Sequence, residues 1–134
     1  MLRILYTLKY WKSALVTAVI LHLSFASPSE FKGIPTFDNE DKLIHILMYL
    51  GLTAVLVFDS VRLNLSKRTR LVICLVYPIL VGGVVEILQP IYFFPRSASW
   101  LDWLADIIGT IAGWYIMTFI YKKINLNNTP SSKK

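Results

Sequence analysis

The chain has 134 residues, enough for one domain, of which 55% are apolar and only 16% charged, with a mean hydropathy of +0.56. A soluble domain of this size carries more charge and alternates it more finely, and the single cysteine, Cys74, excludes a disulfide framework or a cysteine metal cluster. The net charge of +6 is not a nucleic-acid footprint, because Lys and Arg fall in short clusters between long uncharged stretches, which is the pattern of membrane topology.

A helix needs ~20 mostly apolar residues to cross a hydrocarbon core of about 30 Å. Four stretches approach that length, at residues 11–26, 43–58, 71–88 and 100–121, and predict an all-α fold: a bundle of four transmembrane helices within residues 1–124. The first lies between Lys9 and Lys12 on one side and Pro28 and Glu30 on the other. Its basic start, apolar run and Ser24-Phe25-Ala26 also resemble a cleaved signal peptide, although an aromatic and basic flank and His22 suit an anchored helix better.

The second stretch is closed by Asp59 and Arg62. In the third, Pro78 predicts a kink that frees a carbonyl, and Pro90 predicts the helix end. Gly82 and Gly83 in the third, and Gly109 and Gly113 at GxxxG spacing in the fourth, would let a neighbouring backbone approach closely. The fourth ends at Lys122 and Lys123, and the polar, aperiodic residues 125–134 read as a disordered cytoplasmic tail.

Lys and Arg are retained on the cytoplasmic side. Arg3, Lys9, Lys12, Arg62, Lys67, Arg68, Arg70, Lys122, Lys123, Lys133 and Lys134 fall on one side, against Lys32, Lys42 and Arg96 on the other. The expected protein is therefore a multi-pass protein of the cytoplasmic (inner) membrane with both termini cytoplasmic. The acids sort oppositely, since only Asp59 of eight is placed inside. Acidic residues contribute little to topology, so this asymmetry needs another account.

One account is a polar centre at the outer face. Asp41, His45 and Tyr49 repeat every four residues and share a face of the second helix. Glu86 and Gln89 share a face near the outer end of the third, and Asp102 and Asp106 begin the fourth. A carboxylate inside an apolar span is costly unless paired, protonated or wetted, which makes His45, Arg96 and Lys42 the expected partners of Glu86. The aromatic-rich segment between the third and fourth helices suits the interface, and within it Arg96, Ser97 and Ser99 supply groups for a phosphate or carboxylate. Competing structural readings exist: Asp102 and Asp106 gain from the helix dipole, and Arg96 could pair with Asp102 or Glu86 to pin the loop. His45 with several carboxylates has the chemistry of a metal site or an acid/base pair, but without a compact motif such as HExxH neither a metal nor a cofactor is expected.

The ordered set Asp41-Lys42-x-x-His45-x-x-x-Tyr49, Glu86-x-x-Gln89, Arg96 with nearby serines, and Asp102-x-x-x-Asp106-x-x-Gly109-x-x-x-Gly113 resembles the VanZ-like family of bacterial membrane proteins. Many members carry Asn where this chain has Asp106. The resemblance implies a small polytopic envelope protein, its namesake lowering susceptibility to the lipoglycopeptide teicoplanin, with no established reaction. Asp41, Lys42, His45, Tyr49, Glu86, Gln89, Arg96, Ser99, Asp102 and Asp106 are the expected ligand-binding residues. The expected partners are membrane lipids and an anionic or lipid-linked envelope component, not nucleic acid, and an oligomer is left open. The alternatives are a membrane-embedded enzyme acting on a lipid head group, with His45, Glu86 and Asp102 as catalytic candidates, and a small transporter or a purely structural membrane protein.

Overall fold

The computed structural model describes residues 9–26, 40–92 and 97–127, and all its regular elements there are helical. Four helices follow in chain order: α1 (Trp11–Phe25), α2 (Glu40–Arg62), α3 (Lys67–Tyr92) and α4 (Trp100–Asn127). The last three are long and apolar enough to cross a membrane. With 15 residues, α1 rises about 22 Å, short of the hydrocarbon thickness of about 30 Å.

The polar residues at the helix ends lengthen the elements beyond their apolar stretches. Glu40 and Asp41 extend α2 at its start, where unsatisfied N–H groups and the positive dipole end favour carboxylates. At its other end Asp59, expected to close the helix, is instead fully buried within it. The connection to α3 turns at Asn64, whose φ of 55° is the left-handed conformation that Asn tolerates. Ser66 then caps α3 by accepting from the Thr69 backbone N–H at 3.2 Å. At the far end of the chain, α4 continues to Asn127, so residues 125–127 are helical and not part of a disordered tail; the rest of that tail lies outside the described residues.

Both prolines of α3 behave in ways a linear reading does not reveal. Just before Pro78 the helix widens into a π turn over Val72–Val76, with the Tyr77 N–H bonded to the Val72 carbonyl. That turn is where the proline ring would otherwise meet the carbonyl four residues back. Pro90 does not end the helix, which runs on to Tyr92. Its missing N–H removes the bond to the carbonyl four residues back, and the helix stops two residues later.

Packing is most extensive between α2 and α4. Gly109 and Gly113 form the contact: a Cβ at Gly109 would collide with the Ile46 carbonyl oxygen, and one at Gly113 would lie 2.7 Å from that of Leu50. The GxxxG stripe thus brings two backbones together where lipid offers no hydrophobic drive to do so. Many large apolar side chains stay exposed, among them Leu47, Leu80, Ile87, Tyr115 and Phe119. An apolar surface so extensive belongs against lipid, and the chain is a membrane protein.

The shorter α1 is held by polar contacts. Ser13 Oγ donates to Asp59 Oδ2 at 2.7 Å, Thr17 Oγ1 lies 3.2 Å from Tyr77 Oη, and Gln89 Nε2 donates to the Ser24 carbonyl at 2.9 Å. Because hydrogen bonds between membrane helices each contribute about 0.6–2 kcal/mol, the double variant Thr17→Val/Gln89→Leu is expected to loosen α1 without unfolding the rest. Faster labelling of a cysteine placed at Ile20 would report this; unchanged labelling would show that α1 is held by other contacts.

Candidate functional site

The polar faces of α2, α3 and α4 meet at one end of the bundle. His45 Nδ1 and Asp106 Oδ1 are 2.8 Å apart, with side chains 7% and 1% exposed. The mutual bond offsets part of the cost of burying the two groups, while Asp106 Oδ2 has no hydrogen-bond partner among the described residues. Asp106 reaches this depth because it packs over Gly82 of α3, where an added Cβ would come within 2.5 Å of Oδ2. The glycine supplies the room for the carboxylate.

Glu86 is buried as well, and one of its bonds goes to a backbone group. Its Oε2 accepts the Ser99 backbone N–H at 3.0 Å, so the carboxylate holds the start of α4. Ser99 Oγ in turn accepts from the Asp102 N–H at 3.3 Å and caps that helix. At the rim, Lys42 Nζ lies 3.0 Å from Asp41 Oδ2 and 3.7 Å from Asp102 Oδ1. Asp41, although on the His45 face by spacing, remains exposed beside Lys42.

Two expected site residues also face other parts of the bundle. Gln89 is buried but is directed to the end of α1. Tyr49 is 1% exposed, with its ring in the apolar core and a hydroxyl that has no hydrogen-bond partner among the described residues. Arg96 lies outside the described residues.

One potential ligand atom each from His45, Glu86 and Asp102 lies within 4.8 Å of the others, a group able to hold a metal ion. The sequence has no compact metal motif because the three come from three helices. With Nδ1 engaged by Asp106, the other ring nitrogen of His45 is the one left to ligate or to exchange a proton. A carboxylate fixing a histidine in this way serves either a metal or an acid/base role.

A second buried polar group, missed from the sequence, lies toward the opposite end. Ser13, Asp59, Ser60 and Cys74 are all buried, with Ser60 Oγ 3.5 Å from Cys74 Sγ. The signal was the stripe His45, Tyr49, Leu52, Leu56 and Asp59 along α2, which continues the buried face through the acid. The readable sign was the spacing; the charge of Asp59 obscured it.

Comparison with protein-family models, curated proteins and solved structures finds no match to this chain. The VanZ-like resemblance therefore rests on the ordered motif residues alone.

Proposed function

We propose that this is a VanZ-like protein of the bacterial cytoplasmic membrane. In this reading α1 to α4 make four crossings with both termini inside, and the His45 centre faces outward. The centre engages an anionic or lipid-linked envelope component and thereby lowers susceptibility to lipoglycopeptides such as teicoplanin. The observation that carries this reading is the convergence of His45, Glu86, Asp102 and Asp106 from three helices. Lys42 at the rim supplies a cation for an anionic group, and the carboxylates accept from its hydroxyl or amide groups.

Glu86→Gln and His45→Ala are each expected to remove the protective effect when susceptibility is measured at matched expression. Protection unchanged in both variants would take this centre out of the mechanism.

A second reading is favoured by the His45–Asp106 pair at 2.8 Å. A buried carboxylate that fixes one imidazole nitrogen prepares the other to move a proton, and the centre would then act on a lipid head group. His45 would be the base, with Glu86 or Asp102 completing the exchange. Lipid and precursor profiles of cells with wild-type protein and with His45→Ala separate the two readings. A species that changes only with wild type supports catalysis, and identical profiles leave binding as the function.

A further inference from the structure

At the end of the bundle opposite His45, a cavity of about 550 Å³ opens between the last turns of α2, the start of α3 and the end of α4. Its size falls in the ~300–1,000 Å³ range of small-molecule sites. It lies about 20 Å along α2 from the polar centre, counting a rise of 1.5 Å per residue from His45. Three cations converge on it from two helices, Lys67 and Arg70 of α3 and Lys122 of α4, while Val57, Trp114 and Tyr121 line the wall between them.

Basic residues at a cytoplasmic helix end are expected from topology alone. Topology does not require them to surround one cavity, and none of these three forms an ion pair among the described residues. Arg70 is further constrained. One guanidinium nitrogen donates to the Leu65 carbonyl at 3.2 Å, which holds the side chain at the cavity wall. The one acidic side chain at this end among the described residues, Asp59, is fully buried and bonded to Ser13.

We propose that this cavity binds the phosphate head group of an anionic phospholipid from the adjoining leaflet. Basic pockets between membrane helices recognise such head groups, and Trp and Tyr favour head-group depth. The apolar wall between the cations suits the glycerol and first acyl carbons, not a free hydrated phosphate. This site does not depend on what the His45 centre binds.

The test is native mass spectrometry of the full chain in nonionic detergent, titrated with phosphatidylglycerol or with phosphatidylcholine of matched chains. Wild type is expected to retain phosphatidylglycerol preferentially. Each cation is worth roughly fivefold near a membrane surface, so Lys67→Gln/Arg70→Gln/Lys122→Gln is expected to lose about a hundredfold. Arg62→Gln/Arg68→Gln, which removes charge from the same end but outside the cavity, is expected to keep the preference. Should the triple variant fail to fold by circular dichroism, Arg70→Gln alone is expected to lose about fivefold and Arg70→Lys less. Equal retention of the two lipids, an equal loss in the Arg62/Arg68 control, an unaffected cavity variant, or displacement by equimolar inorganic phosphate would each overturn the proposal.

Discussion

Gly109→Val is expected to abolish accumulation of the folded protein, and Gly109→Ala to destabilise it by about 1–3 kcal/mol. A Cβ at this position meets the Ile46 carbonyl, which is backbone and cannot rotate away. The two helices would have to separate along their most extensive interface, and Gly113 against Leu50 would lose contact with them. Gly51 is the internal control: a Cβ there meets nothing within 4 Å, so Gly51→Ala is expected to be neutral or stabilising by up to about 1 kcal/mol from helix propensity. Thermal unfolding of purified protein, followed by fluorescence-detected size exclusion, reads both. If Gly109→Ala unfolds at the Gly51→Ala temperature, the close backbone contact is not a determinant of the fold.

Asp106→Ala is expected to cost about 3 kcal/mol, whereas Asp106→Asn should cost less than ~1 kcal/mol. The alanine leaves His45 buried without its acceptor, and the bundle cannot hydrate it there. Asn keeps an oxygen able to accept from Nδ1 in nearly the same shape. Unfolding midpoints test the stability difference, and the imidazole proton resonance of His45 tests the bond. A loss as large for Asn as for Ala would mean that the pair depends on the carboxylate charge and not on its hydrogen bond.

These two predictions concern features that were unequally visible in the sequence. The GxxxG spacing of Gly109 and Gly113 announced a close contact, but not that the partner backbone is α2 at Ile46 and Leu50. His45 and Asp106 each appeared on a polar face, yet their pairing depends on a separation of 61 residues in sequence. Glu86 illustrates the limit further. Its burial could be read from its place in an apolar stretch, while its bond to the backbone of Ser99 could not, because every residue except proline carries an N–H. Asp59 was misplaced for the opposite reason. A lone charge next to Arg62 looks like a helix end, whereas the Ser13 hydroxyl on another helix gives the buried carboxylate a partner.

By itself, the sequence determined the all-helical class and the polar faces, since these follow from side-chain hydropathy and the 3.6-residue period; of the four crossings it predicted, three helices are long and apolar enough. The tertiary structure alone decided which polar groups satisfy one another: His45 with Asp106, Glu86 with the start of α4, Gln89 with the end of α1 and Ser13 with Asp59. Periodicity says which side of a helix turns inward. The partner it finds there depends on the angle and depth at which another helix arrives, which no single segment encodes.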